Sequence, residues 1–402
     1  MIDLNKQLRR NCHILPRFVL RCLGISVNDN ESKLYKIYSY VMIITGSLFP
    51  WTSCHLISQN LDKYDVIISG MFNVVGGSAA FLIIISIKYN AKRLQSIFKT
   101  LEELQIKWNK ERWGENDLYK INRLMLTAII IFYTIFFSFY SGTLIVRIVV
   151  KDPNKWILPI SDFSLFNTSY SPNFEIAWLY HCIAPTMTGS GYCIPHFLIA
   201  ALIIDITIHY KILKIRIKNR FDIISEIRTN SLISERKKYQ HLQEVIKRTV
   251  KHHLTLINVT NELKIVGSNV LLITAIASIC IMTFSLYYAS VLPMLSTAAL
   301  LSYFEVSAVS STLFMLSYFG TQLATASEDI SNTLYEMDFV GLDIRFQKSL
   351  LLIIMRSQKP SWLTIGGFTN LSISVYAWVL RTTYSYVMIL RKNSQVKENH
   401  AF

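Results

Sequence analysis

The sequence predicts an all-α integral membrane protein with seven transmembrane helices, its N-terminus inside the cell and its C-terminus outside. Three observations support this fold class. The 402 residues are 51% hydrophobic and only 17% charged, whereas a soluble protein is about a quarter charged. Several apolar segments reach the roughly 20 residues that a bilayer crossing needs. Lys and Arg are concentrated in alternate connections between these segments, as the positive-inside rule requires.

Six segments qualify as spans on length and apolar character alone: Ile37–Leu56, Val66–Ile87, Leu124–Val150, Trp178–Ile208, Ile265–Leu292 and Thr297–Leu323. The seventh is irregular. Leu350–Met355 is too short to cross, and Lys359-Pro360 ends that helix because proline lacks a backbone donor. Leu371–Leu390 is long enough to cross. The last helix is therefore predicted to be split into a cytosolic half-helix and a membrane half.

Basic residues give the orientation. Of the 41 Lys and Arg residues, 33 fall in residues 1–36, 88–123, 209–264 and 324–370, and only six lie on the other side. This places the N-terminus inside and excludes a G-protein-coupled receptor, whose N-terminus lies outside. Asn167 begins the only glycosylation sequon that falls on the outer side, so we expect it to be the glycosylation site.

The inner connections contain helical patterns. Residues 1–36 are predicted to be a cytosolic segment with an amphipathic helix on the inner membrane face. Residues 37–323 then carry six spans, with a cytosolic helical extension at 209–264 that has apolar residues at three- and four-residue steps. Residues 324–370 form a cytosolic loop and the half-helix Ile344–Met355, which we expect to pack with the extension into an anchor bundle. The outer loop 151–177 is apolar for its position, and a ligand lid and a packing cluster both remain open.

The sequence contains no recognisable catalytic or metal-binding motif. The catalytic and nucleotide-binding motifs are missing, His252-His253 sit in a basic helix, and the six Cys show no metal or disulfide spacing. We expect no metal, no cofactor, no enzyme activity and no nucleic-acid partner. Ionisable residues inside spans are costly unless paired, and a pair between Glu305 and Arg381 is one hypothesis.

The last span has a polar stripe. At about 100° per residue, five residues fall within an arc of roughly 120°: Thr382, Ser385, Ile389, Lys392 and Asn393. One interpretation is a buried helix whose hydroxyls bond back to their own backbone. The other is a pore-lining helix at 371–392, with Ile389 as an apolar ring that closes the pore by dewetting, Lys392 and Asn393 at its outer mouth, and an extracellular tail at 393–402.

The C-terminal block resembles the signature of insect odorant receptors. The matching motifs are Gly320-Thr321-Gln322-Leu323, Ser327, Tyr335-Glu336, Arg356-Ser357-Gln358-Lys359-Pro360, Thr383-Tyr384-Ser385-Tyr386 and Leu390-Arg391. The sequence departs from the family at Phe339, Val387 and Ser317. The resemblance implies an odorant-gated, nonselective cation channel in the plasma membrane of olfactory dendrites, formed as a heterotetramer with the family's co-receptor. The short connection 209–264 implies an odorant-tuning subunit.

The resemblance also implies a site for a volatile odorant in the outer halves of the second, third, fourth and sixth spans. The corresponding residues are Met71, Phe72, Val75, Phe137, Tyr140, Leu144, Met187, Gly191, Leu301, Phe304 and Ser307. Aromatic and Met side chains suit a small volatile that binds by burial and shape, although ordinary helix packing explains them too. A gustatory-type receptor channel for soluble tastants is the alternative function, and a transporter or membrane enzyme is a third.

Overall fold

A computed structural model describes residues 14–26, 31–61, 64–108, 115–150, 156, 158, 170–229 and 235–400. These residues form ten helices and one short hairpin. The helices are α1 Ile14–Cys22, α2 Lys33–Gln59, α3 Tyr64–Tyr89, α4 Ala91–Trp108, α5 Glu115–Val149, α6 Asn173–Thr229, α7 Glu235–Val291, α8 Thr297–Tyr335, α9 Ile344–Ser357 and α10 Ile373–His400. The strands are β1 Thr364–Ile365 and β2 Thr369–Asn370.

The all-helical membrane fold is confirmed. Helices α2, α3, α5, α6, α7 and α8 are long and apolar enough to cross a membrane, and each contains one of the six predicted spans. Helix α10 has 28 residues and contains most of the predicted seventh span, but its second half is more polar. It also continues past Leu390 to His400, through the segment that we expected to be a tail.

Helix α6 is the centre of the bundle. In its most apolar stretch 83% of the residues are buried, against 6% in that of α5. Within the described residues, helix α6 contacts α1, α2, α3, α7 and α8, whereas the stronger contacts of α5 are all with α6. A helix that is apolar all round is normally buried in a core. The helix runs without interruption through Pro185 and Pro195, because neighbouring helices satisfy backbone groups that proline frees within a membrane.

Helix α9 packs with the extended ends of neighbouring helices into a bundle that we call the anchor bundle. We define it as residues 209–229 of α6, 235–264 of α7, 324–335 of α8, and α9. Helix α9 packs against α7 and α8 and buries Phe346, Leu350 and Ile353. Asp343 caps its N-terminus by accepting a hydrogen bond of 2.8 Å from the Arg345 backbone N–H, which satisfies one of the helix's free donors.

Helix α4 was not foreseen as a separate element. Its inward face buries five large apolar side chains at the three- and four-residue spacing of an amphipathic helix: Leu94, Ile97, Phe98, Leu101 and Leu104. The Arg17 guanidinium of α1 lies 4.8 Å from the centroid of the Phe98 ring. Leu20 of α1 is fully buried. The N-terminal helix is therefore packed into the fold.

The β-hairpin was not predicted either. It lies between α9 and α10, with Ile365 paired to Thr369 across a turn in which Gly366 and Gly367 have φ of +59° and +80°. Only glycine adopts such angles without strain. The Gly366 N–H donates to the Ser268 carbonyl of α7 at 3.0 Å. The hairpin therefore fixes the point at which α10 enters the membrane region.

Candidate ligand site and pore-lining helix

Helix α10 is held on one side and free on the other. Val379 is fully buried and Thr383 nearly so, and α10 as a whole contacts α7 and α8. Arg381, Ser385 and Ile389 are exposed, and Ile389 retains 54% of its accessible surface. The polar stripe thus borders the packed face and points out of the single chain, where a second subunit, water or lipid can meet it.

The hydroxyls of the stripe bond to their own helix. Thr382 Oγ1 donates to the Trp378 carbonyl at 2.9 Å, and Ser385 Oγ donates to the Arg381 carbonyl at 3.0 Å. This is the bonding expected of the buried-helix interpretation, but the helix surface that carries Ser385 is not buried by this chain. Lys392 is exposed. Asn393 lies within α10, and its side chain is outside the described residues.

The attachment of α10 to α8 relies on residues that sequence reasoning did not assign to the site. Tyr376 Oη lies 2.9 Å from Ser310 Oγ, and its ring packs edge-on against Phe314 at 5.4 Å between centroids. The Ile373 N–H donates to Thr321 Oγ1 at 3.1 Å. The motif containing Gly320 and Thr321 was the available signal, since it lies where the base of α10 meets α8.

The seam between α5 and α6 is polar. Tyr133 Oη lies 2.9 Å from Ser190 Oγ, and Tyr140 Oη lies 2.8 Å from Thr186 Oγ1. Because little of α5 is buried, these hydroxyl pairs make up a large part of its attachment. Tyr140, one of the predicted ligand residues, therefore has a protein partner.

We expect the double substitution Tyr133→Phe with Tyr140→Phe to lower the unfolding free energy by about 1 kcal/mol, since an interhelical hydrogen bond in a membrane contributes about 0.6 kcal/mol on average. Thermal unfolding of the purified chain in detergent would measure this. Tyr335→Phe is the matched control, because Tyr335 is 73% exposed. Equal melting temperatures for the double variant and the control would show that the pairs do not hold α5.

A cluster around Arg147 joins the C-terminal end of α5 to the N-terminal end of α6. Its guanidinium bonds Glu175 at 2.9 Å and lies 3.6 Å from the centroid of the Trp156 ring. Trp156 Nε1 donates to the Val150 carbonyl at 2.9 Å, and its ring packs on Phe174. The described part of the outer loop therefore forms a packing cluster. Asn167 and most of that loop lie outside the described residues.

The predicted ligand residues differ widely in exposure. The structure buries Met187 and Gly191, half-buries Met71, Phe72, Val75 and Tyr140, and exposes Phe137, Leu144, Leu301, Phe304 and Ser307. Gly191 lies at a close approach of α6 to α3, because a Cβ atom there would stand 2.8 Å from Ile84 Cδ1. Ser307 Oγ donates to the carbonyl of Phe304 at 2.7 Å.

A cavity is present elsewhere in the described part of the chain. It lies between the end of α1 and helices α2, α3 and α6, and of the eleven predicted ligand residues only Met187 lines it. The eleven residues are therefore not gathered around this cavity. Their assignment to an odorant site stays a prediction.

The hypothesis of an ion pair between Glu305 and Arg381 is wrong. Glu305 Oε2 instead accepts a hydrogen bond of 3.1 Å from Ser285 Oγ of α7, and Arg381 is exposed. Among the described residues, no ion pair joins the two. Ser285 and Glu305 stand on antiparallel neighbours joined by a short turn, so the nearer partner satisfies the carboxylate.

Paired histidines connect α6 and α7. The His209 and His252 rings are 6.4 Å apart between centroids, and the Tyr210 and His253 rings are 6.2 Å apart. All four residues are buried, so the dipeptide that looks like part of a basic helix is a packing element. Within the described residues no group of three His, Cys, Asp or Glu side chains is arranged to hold a metal ion.

These features define an all-helical, multi-pass membrane protein with a peripheral last helix seated on a hairpin. The family described as "7tm Odorant receptor" matches residues 68–384, and the chain belongs to that insect odorant receptor family. Relatives from Drosophila melanogaster include odorant receptor 2a, 32% identical over 24% of each chain, and odorant receptor 67a, 27% identical over 54% of this chain and 53% of the relative. These alignments span from about a quarter to about half of the relatives' length.

Solved structures share the whole fold. The insect olfactory receptor OR5 from Machilis hrabei in complex with eugenol superposes with a TM-score of 0.78 at 16% identity, covering 97% of this chain and 99% of that one. The structure of the same receptor described without eugenol gives 0.76 at 17% identity. At this level of identity the likeness establishes the fold.

Proposed function

We propose that this chain is the odorant-tuning subunit of a ligand-gated, nonselective cation channel that it forms with the odorant receptor co-receptor. The observation that carries the proposal is the free polar flank of α10, in a chain of the odorant receptor family. A single subunit leaves Arg381 and Ser385 exposed, and such a polar surface is energetically costly in contact with lipid. Four α10 helices around an axis would turn this flank toward a shared aqueous pore.

Within this pore Ile389 is the gate and Lys392 and Asn393 stand at the outer mouth. A ring of apolar side chains closes a pore by excluding water. Thr382 and Ser385 line the path below the ring. Their hydroxyl hydrogens are engaged by the backbone, so their oxygen lone pairs face the pore, which suits a passing cation.

The volatile ligand binds in the outer half of the bundle, among the eleven residues assigned above. OR5 from Machilis hrabei, which has the same fold, was determined in complex with eugenol. Ligand binding moves α8 relative to α10. Leu301, Phe304 and Ser307 stand on the same helix as Ser310, whose hydroxyl contacts Tyr376 of α10, so a displacement of α8 reaches the pore helix directly.

Assembly uses the anchor bundle as well as the pore. Three apolar side chains of α9, Leu351, Leu352 and Met355, are between 56% and 68% exposed. Apolar residues on the surface of a water-facing bundle favour contact with another protein surface. In this arrangement the anchor bundle lies in the cytosol of the olfactory dendrite, the N-terminus is inside, and Asn167 faces outward for glycosylation.

Co-expression of this chain with the co-receptor, followed by current recording under an odour panel, tests the proposal. We expect cation currents that require both chains and at least one odorant. Responses to soluble tastants by this chain alone would favour the gustatory alternative. Currents that persist without this chain would remove its role as the tuning subunit.

For the ligand site, we expect Phe304→Ala to lower the apparent affinity for an activating odorant about ten-fold. Burying a Phe ring against a ligand contributes about 1.5–3 kcal/mol, and 1.4 kcal/mol corresponds to a factor of ten. Concentration–response curves would measure this. Leu300→Ala is the matched control, because Leu300 is 52% exposed, as Phe304 is, and lies outside the predicted set. Equal shifts in both variants would contradict the assignment.

A further inference from the structure

The cavity beside the end of α1 is an apolar groove lined by helices α2, α3 and α6. On α3 its lining residues are Gly77, Ala80, Phe81 and Ile84, which share one helix face at three- and four-residue steps. Lys88 is the next residue on that face. The enclosed volume of the groove is only about 20 Å³, so the groove is shallow and largely open to its surroundings.

On α2, as on α3, a basic residue lies beyond the residues that line the groove. Met42, Ile43, Gly46 and Ser47 line the cavity, and Lys36 lies about two turns before Ile43. Since α2 begins at Lys33 and α3 ends at Tyr89, both lysines stand at the same end of the two antiparallel spans. The groove therefore has an apolar length and a basic rim, Lys36 and Lys88.

A proline shapes the floor. Pro50 has no N–H to offer the Gly46 carbonyl four residues earlier, and Thr188 Oγ1 of α6 donates to that carbonyl at 3.4 Å. Gly77 faces Pro50, because a Cβ atom there would lie 3.0 Å from Pro50 Cδ. Gly46 and Gly77 both line the cavity, and neither adds a side chain to it.

No carboxylate in the described part of the chain neutralises the basic rim. Lys88 Nζ donates to Ser39 Oγ at 2.7 Å and lies 5.4 Å from the Tyr40 ring centroid. Within the described residues neither Lys36 nor Lys88 forms an ion pair, and the neighbouring Glu31 is engaged by Arg21 at 3.0 Å. Two cations without a carboxylate, at the membrane end of an apolar groove, match one amphiphile: an anionic phospholipid.

We propose that this groove binds an anionic phospholipid, with an acyl chain along the α2–α3–α6 lining and the phosphate held by Lys36 and Lys88. The site is separate from the odorant site, since it includes only Met187 of those residues. It does not depend on the proposed function, because it requires only that the spans lie in a bilayer. A basic residue near an anionic membrane surface contributes about five-fold in lipid affinity, equivalent to about 1 kcal/mol.

Photo-crosslinking of the full chain in nanodiscs tests this site. The probe is phosphatidylserine with a diazirine in its acyl chain, held at a small fraction in phosphatidylcholine, and mass spectrometry locates the adducts. We expect adducts on Ile43, Ser47 or Phe81. Lys36→Gln with Lys88→Gln should lower the phosphatidylserine yield by at least about five-fold, with little effect on a diazirine phosphatidylcholine probe. Gly46→Leu, which fills the groove, should lower both yields.

The controls separate this site from general lipid contact. Lys99→Gln removes an exposed lysine of α4, away from the groove, and should leave the phosphatidylserine yield unchanged. Unchanged thermal melting of the lysine double variant would show that its fold is intact. Adducts spread evenly over the outward residues Ile44 and Leu48, or an identical loss of yield in Lys99→Gln, would overturn the proposal.

Discussion

Ile389→Ala is expected to raise the odorant-independent current of cells that express this chain with the co-receptor about ten-fold. Ile389 keeps 54% of its surface in the single chain, so its side chain is available to meet its equivalents around a pore axis. Removing its outer methyl groups weakens an apolar ring that excludes water. A loss of about 1.4 kcal/mol from the closed state changes the open-to-closed ratio ten-fold.

The measurement is whole-cell current before and during odorant application, normalised to surface expression. Leu380→Ala is the matched control, because Leu380 is also partly exposed, at 39%, and lies on the opposite side of α10 from the polar stripe. If the leak and the odorant response of Ile389→Ala both equal those of the unmodified chain, Ile389 is not the gate. An equal leak in Leu380→Ala would indicate general loosening of α10.

The membrane helices could be predicted because their signal is local. About twenty apolar residues in a row specify a span whatever surrounds them, and each predicted span lies wholly or largely inside an observed helix. The helical spacing of Phe346, Leu350 and Ile353 likewise marks the face of α9 that the structure buries. The hairpin was not predictable, because only Gly366-Gly367 marks it and both strands have two residues.

The contacts that the sequence did not predict are made with residues of other helices. Glu305 is satisfied by Ser285, and no periodicity in α8 specifies which neighbour its carboxylate meets. His252 and His253 lie in a helix rich in charged residues, but their rings pack against His209 and Tyr210 of α6. Spacing along one helix gives a face, and the packing of other helices decides what that face meets.

The same limit applies to the ligand residues. Phe137 and Met187 both lie on spans that the family resemblance selects, yet one is 74% exposed and the other is buried. Sequence alone cannot rank them, because exposure depends on how far α5 stands from the bundle. The polar seam of Tyr133 and Tyr140 with α6 sets that separation.

Gly320→Ala is expected to lower the unfolding free energy of the chain by about 2 kcal/mol. A Cβ atom at this position would lie 2.8 Å from Leu371 Cγ and 2.9 Å from the Leu371 carbonyl oxygen. The carbonyl belongs to the backbone at the base of α10, so relief requires α8 and α10 to separate. Forcing extra volume into a packed contact costs about 1–3 kcal/mol.

Gly142→Ala is the matched control, because it introduces the same methyl group into another membrane helix. A Cβ atom at Gly142 meets nothing within 4 Å, and alanine is favoured over glycine in a helix by up to about 1 kcal/mol. Thermal unfolding in detergent should therefore move the two melting temperatures in opposite directions. The Gly320→Ala chain that does fold should also carry altered odorant-gated current, since Thr321 next to it accepts the Ile373 N–H that begins α10. Equal melting temperatures would mean that α8 and α10 are not in close contact at Gly320, and α10 would then lack the fixed base that gating through α8 requires.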